Sequence, residues 1–88
     1  MQLKNKTAIV TGGGTGIGRG IARVLSSRGA NIVICGRTES RLQETQLQLR
    51  KEGSRVESYV CDVTDRRSVE SLCEAVGATF KKIDILVN

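Results

Sequence analysis

Five glycines fall within the seven residues Gly12-Gly13-Gly14-Thr15-Gly16-Ile17-Gly18. Main chain stripped of side chains in this way lets a phosphate group approach backbone N–H donors directly. The flanking residues supply the context such a loop needs. Thr7-Ala8-Ile9-Val10 before it is a short apolar, β-branched run, the pattern of a strand buried on both faces. After it, Ile17, Ile21, Val24 and Leu25 recur at the spacing of one helix face. A strand that passes through glycines into a helix presents the unpaired N–H groups of the helix start, and the positive end of its dipole, to an anion. The predicted ligand group is a pyrophosphate. The glycine order is G-x-x-x-G-x-G, not G-x-G-x-x-G, and Arg19 follows Gly18 with no Gly-Lys-Ser/Thr anywhere, which excludes a Walker-type loop.

Two further groups carry chemistry. An acid at the end of the second strand, about 20 residues beyond a dinucleotide loop, accepts from the adenosine ribose hydroxyls. This sequence has Gly36 there, followed by Arg37 and Thr38. With no carboxylate to repel a 2′-phosphate, and a guanidinium able to grip one bidentately, the segment predicts NADP in preference to NAD. Asp62 reads in two ways, as a turn residue or as an acceptor for the adenine amino group.

The elements that must position these residues follow from the same patterns. Residues 31–35 form a second apolar strand, and Arg28-Gly29-Ala30 closes the helix before it. A polar helix is expected over 39–51, stopped by Gly53, its apolar face reduced to Leu42 and Leu49 with Gln46 between them. A third strand over 55–61 carries Arg55 and Glu57, charges suited to a sheet edge. Val69, Leu72, Cys73, Val76 and Phe80 mark a third helix, capped by Thr64 or Asp65 and followed by Lys81 and Lys82. A fourth strand is expected over 83–87. Each strand-to-strand interval has room for a right-handed helical crossover. The fold class is therefore α/β: a Rossmann-type parallel sheet of four strands in order 3-2-1-4 with three helices. The chain reverses direction after the third strand, and such a reversal opens a ligand crevice at the carboxyl ends of the strands. The glycine loop, residues 36–38, Asp62-Val63 and Asn88 all fall at that edge.

Composition narrows the chemistry further. The 88 residues include no histidine and no proline, and only two aromatics, Tyr59 and Phe80. Ser-His-Asp and Cys-His catalysis and the common zinc sites are thereby excluded. Cys35, Cys61 and Cys73, with no C-x-x-C, read as small buried apolar residues of a reducing compartment, and a cytoplasmic location with no membrane contact is expected. The net charge of +5 is unevenly placed, residues 1–38 holding six bases and no acid. An anionic ligand would account for Arg19 in a first helical turn, where the dipole prefers an acid; a solvated outer face of Arg19 and Arg23 is the alternative. Nucleic acid is not the expected partner, because the bases are not interleaved with stacking aromatics.

The segments Thr11-Gly-x-x-x-Gly-Ile-Gly18, Asp62-Val63 and Ile83-Asp-Ile-Leu-Val-Asn88 resemble the short-chain dehydrogenase/reductase family, over essentially the whole chain and in its N-terminal cofactor-binding half. The resemblance implies a single-domain Rossmann fold, commonly a homodimer or homotetramer, that moves hydride between NAD(P) and a carbonyl or alcohol. It implies that Gly12, Thr15, Gly16, Ile17 and Gly18 line the pyrophosphate and ribose. Arg37 and Thr38 would take the 2′-phosphate, and Asp62 and Val63 would flank adenine. Asn88 matches the first residue of an Asn-Asn-Ala-Gly signature that steadies the sheet beside the cofactor. The family's chemistry rests on a Ser and a Tyr-x-x-x-Lys in its second half. Nothing here matches, since Tyr59 is followed four residues later by Val63 and reads as packing. Many NADP-using relatives also carry a base where Thr15 stands, so the NADP expectation rests on residues 36–38. Residues 1–88 are thus expected to be the cofactor-binding portion of an NADP-dependent oxidoreductase, without catalytic residues and inactive alone. The alternative is a noncatalytic NADP-binding module or truncated gene product.

Overall fold

A computed structural model of the chain describes residues 3–14, 16–80 and 82–87. Its elements alternate without exception: β1 (Thr7–Thr11), α1 (Gly16–Ser27), β2 (Asn31–Gly36), α2 (Glu39–Lys51), β3 (Val56–Val60), α3 (Arg66–Phe80) and β4 (Ile85–Val87). The strands form one parallel sheet in the order β3-β2-β1-β4, as expected from right-handed crossovers. Ala8 lies opposite Ile32 on one side and Ile85 on the other, so β1 is central in register as well as in order.

Side-chain alternation along the strands divides the core in two. Ala8, Val10, Ile32, Ile34 and Val56 face α1 and α2 and bury Ala22, Leu42 and Leu49 against them. Ile9, Val33 and Cys35 face the other way, onto Leu72, Val76 and Phe80 of α3. Tyr59 packs half-buried against this second layer, in keeping with a packing role.

The three helices reach the sheet by different means. For α1 the expected face is corrected: Ile17 and Val24 are exposed, and Gly18 and Ala22 are the buried residues, with Ile21 and Leu25 at their flanks. Small residues let the helix approach the sheet closely, so the contact is made by what is missing from the side chains. For α2, Leu42, Thr45 and Leu49 are buried, and polar ties complete the seam. Gln46 and Arg50 both donate to the Val56 carbonyl, at 3.1 and 3.0 Å, and Ser58 donates to Gln46 at 2.7 Å. Glu39 in its first turn and Arg50 and Lys51 in its last match the helix dipole. For α3, Asp65 is the cap, accepting from the Arg67 N–H at 3.0 Å. Cys73 is exposed, which corrects the expectation of three buried thiols; Cys35 and Cys61 are buried.

At its N-terminal end β4 is pinned to β1 by a reciprocal pair. The Thr7 N–H donates to Asp84 Oδ2 and the Asp84 N–H to the Thr7 carbonyl, both at 2.9 Å. Residues 83 and 84, expected within the strand, lie just before it. The bond from Thr7 holds the Asp84 carboxyl below its usual range.

Candidate functional site

At the carboxyl ends of the strands, the connections after β1, β2 and β3 are brought to one edge beside the end of β4. The strand β1 runs out at Thr11, whose hydroxyl donates to the Val87 carbonyl at 3.2 Å. Gly12 then turns the chain with φ 68°, a left-handed conformation that glycine adopts without strain. Its N–H donates to the Cys35 carbonyl at 2.7 Å, and the Gly13 N–H reaches the same oxygen at 3.3 Å. The end of β2 therefore holds the glycine loop in place.

The glycines of the loop are not equivalent. A Cβ on Gly18 would stand 2.2 Å from the Gly12 carbonyl oxygen, and one on Gly13 2.5 Å from Ile34. Both contacts are required by packing. A Cβ on Gly16 would meet nothing within 4 Å, and Ile17 beside it is 83% exposed. The start of α1 thus presents open main chain outward. A recess of about 200 Å³ lies between Thr11, Gly12, Ile17, Gly18, Ile21 and Val87. Thr15 and Asn88, both expected at this site, lie outside the described residues.

On the other side of Gly12, a smaller recess of about 70 Å³ is lined by Gly14, Gly36, Arg37, Thr38, Arg41 and Leu42. Thr38 is the residue before α2, and its hydroxyl makes no capping bond. Arg41 is the residue that sequence reasoning missed. It sits in the first turn of α2, where the dipole disfavours a cation, and that anomaly was the available signal. Arg19 shows the same anomaly with a different outcome. It donates to Gln48 Oε1, while Arg23 pairs with Glu52 at 3.4 Å. Arg23 is thus exposed, as a solvated face requires, and both arginines also tie α1 to α2 and the residue that follows it.

Asp62 joins the second recess to the connection after β3. Its Oδ1 accepts from Arg37 Nη2 at 3.0 Å, from the Thr64 N–H at 2.9 Å and from Thr64 Oγ1 at 2.6 Å. Its own N–H donates to Ser68 Oγ at 3.0 Å. The turn role expected of Asp62 is therefore present, and the same carboxylate reaches Arg37. The bonds from Thr64 first, and then from Arg37, lower its pKa to about 2. Because the shift is downward, its contribution is complete above the ordinary carboxylate range and is lost only as pH falls toward 2. Val63 is exposed beside it. A larger recess, about 350 Å³, lies at the opposite end of the sheet around Ser26, Asn31, Gly53 and Arg55, and shares none of these residues. Among the described residues no group of His, Cys, Asp or Glu could hold a metal ion, and no helix is long and apolar enough to cross a membrane.

The sheet order, the glycine turn and the cationic shelf at the end of β2 are those of a dinucleotide fold, and residues 6–88 match the family model described as short chain dehydrogenase. The chain belongs to the short-chain dehydrogenase family. The human short-chain dehydrogenase/reductase 3 (Homo sapiens) is 42% identical over 88 residues, covering 99% of this chain and 29% of that protein. Among solved structures, a metagenomic short-chain oxidoreductase in complex with NADP superposes with a TM-score of 0.93 at 31% identity, covering 98% of this chain and 39% of that one. An NAD+-bound xylitol dehydrogenase superposes with a TM-score of 0.94 at 32% identity, over 98% of this chain and 33% of that one. The short-chain dehydrogenase fold thus binds a nicotinamide cofactor of either kind. The chain spans about a third of the length of the curated relatives it matches.

Proposed function

We propose that this chain is the cofactor-binding portion of an NADP-dependent short-chain oxidoreductase, and that its carboxyl-edge crevice takes the adenosine and pyrophosphate of NADP(H). The observation that carries the reading is the shelf beside Gly36, where Arg37, Thr38 and Arg41 surround a space that a carboxylate would occupy in an NAD-selective site. Gly36 leaves that space open. Arg37 and Arg41 offer planar donors suited to a phosphate, and the Thr38 hydroxyl adds another.

Gly12, Gly16, Ile17 and Gly18 line the pyrophosphate in this reading, with open N–H groups at the start of α1 facing the charge. Thr15 joins them in this reading, and Asn88 steadies the central sheet beside the cofactor. Asp62 and Val63 flank adenine: all three donors on Asp62 fall on Oδ1, which leaves Oδ2 to accept the amino group. When bound, the nicotinamide supplies or accepts the hydride for a carbonyl or alcohol substrate. These 88 residues contain no Tyr-x-x-x-Lys to move the accompanying proton. A module that binds NADP without catalysis is the alternative reading. Both readings place the protein in a reducing, cytoplasmic setting with NADP(H) as its small-molecule partner, and the oxidoreductase reading adds a homo-oligomer.

Calorimetric titration of the chain with NADPH and NADH tests the proposal. NADPH should bind at least tenfold more tightly, and Arg37→Ala should remove about tenfold of that difference, the worth of a charge-assisted hydrogen bond to phosphate. Gly36→Asp, whose Cβ would meet Leu42 and Gly12 at ordinary contact distance, should turn the preference toward NADH. Equal affinities for the two cofactors, unmoved by Arg37→Ala, would contradict it.

A further inference from the structure

The Arg37 guanidinium is not idle. One terminal nitrogen lies 3.0 Å from Asp62 Oδ1, across the gap between the end of β2 and the connection after β3. Asp62 is firmly held for this contact: Thr64 binds the same oxygen twice, and Ser68 and Asp65 fix its main chain, at 3.0 Å each. Arg37, with its side chain 69% exposed, is the more exposed partner, and Asp62, at 42%, the more tethered one. A group arriving on the shelf beside Gly36 therefore meets a guanidinium whose charge is already partly answered by an immobile carboxylate.

We propose that Asp62 is a specificity-determining residue that acts through Arg37, restraining the guanidinium and so limiting the preference for a 2′-phosphorylated adenosine. The inference rests on the NADP reading above and goes beyond it. Asp62 serves adenine in both cofactors through Oδ2, but opposes only the phosphorylated one through Oδ1. A phosphate dianion must draw Arg37 off Oδ1 or share it there, and the fixed carboxylate does not retreat. The pair is exposed, and exposed ion pairs of this kind are worth little. The restraint therefore corresponds to a change of about two- to fivefold in affinity. Asp62 remains ionised throughout the neutral range, so the restraint is constant there.

The test uses 2′,5′-ADP and 5′-AMP, which share adenine and differ in the 2′-phosphate, titrated calorimetrically into the chain. Asp62→Asn keeps an oxygen for Thr64 and removes the charge. Any loss at adenine falls on both probes and cancels in their ratio. Asp62→Asn should raise the preference for 2′,5′-ADP about two- to fivefold. The same substitution in an Arg37→Ala background should leave the ratio unchanged, since the restraint has nothing to act on. Asp62→Ala, read by the same ratio, serves if the asparagine variant does not fold. A ratio that stays level or falls in Asp62→Asn overturns the inference. So does an equal rise with and without Arg37, which would mean direct repulsion. Failure of the underlying NADP reading looks different: the unsubstituted chain binds the two probes alike, Arg37→Ala changes neither, and the inference falls with it.

Discussion

Gly16 and Gly18 stand two residues apart and answer to different masters. Gly18 is fixed by the protein, because an added methyl would collide with the Gly12 carbonyl at 2.2 Å. Gly16 faces open space, and only a ligand would object to a side chain there. Gly18→Ala should therefore destabilise the chain by about 1–3 kcal/mol or more through overpacking against backbone, seen as a lowered denaturation midpoint. Gly16→Ala, at the first position of α1 with open space in front of it, should leave stability essentially unchanged, and should still weaken NADPH binding severalfold by crowding the pyrophosphate. A Gly16→Ala variant with full affinity would place the phosphates elsewhere. Both glycines were legible in the sequence as parts of one motif, but their different tasks were not. That distinction depends on which neighbour stands in front of each, and spacing does not carry it. Arg37 illustrates the same limit: its type and position pointed to an anion, and nothing local announced that Asp62, 25 residues later, would hold it.

At the scale of elements, strand periodicity and helix stops were readable and contact distances were not. The strands, their order and the two-sided core follow from β-branched runs and crossover lengths, which are local signals. The face of α1 was misjudged because hydrophobic periodicity ranks side chains by apolarity, whereas this helix is seated by Gly18 and Ala22. Cys73 was misjudged for a related reason. It lies one residue past Leu72, at the margin of the α3 stripe, beside an apolar cleft of about 270 Å³ shared with Val63, Ile83 and Leu86. Burial of Cys35 raises its thiol pKa to about 11, whereas Cys73 is exposed. On α2, Thr45 is buried and its hydroxyl has no partner among the described residues. An unsatisfied buried hydroxyl costs free energy that an isosteric methyl does not. Thr45→Val should stabilise the chain by about 1 kcal/mol, read from the urea midpoint at unchanged slope. A destabilised variant would mean that the hydroxyl has a partner in solution.

For the whole molecule, the decisive feature is asymmetry between the two ends of the sheet order. At one end β3 carries Glu57, paired with Arg50 at 3.1 Å, and α2 is tied to it by polar contacts. At the other, β4 pairs with β1 alone among the described residues, and Leu86 on it is 64% exposed beside exposed Ile83 and Val63. An apolar strand with one side unpaired is a template for another strand. The chain by itself should therefore sediment as a species larger than its 9.5 kDa mass, and Leu86→Lys should shift it toward the monomer, because charge on an edge strand opposes pairing. A wild-type chain that remains monomeric at high concentration would show that this edge is not adhesive. The excess charge of the first 38 residues was also a whole-molecule signal, and part of it proved structural. Arg19 and Arg23 contact Gln48 and Glu52, whereas Arg37 of that stretch stands on the shelf, joined there by Arg41 from the next helix.

The claim on which the account depends is that the carboxyl edge of this sheet, and not the larger polar recess at the opposite end, is where the nucleotide sits. Backbone amide shifts of the isotopically labelled chain, followed while NADPH is added, test it most directly. The account predicts that the amides of Gly12, Gly13, Gly16, Ile17, Gly18, Arg37, Thr38, Asp62 and Val63 move together and saturate at one concentration. Movement centred on Ser26, Asn31, Gly53 and Arg55, or no movement at any concentration, would contradict it.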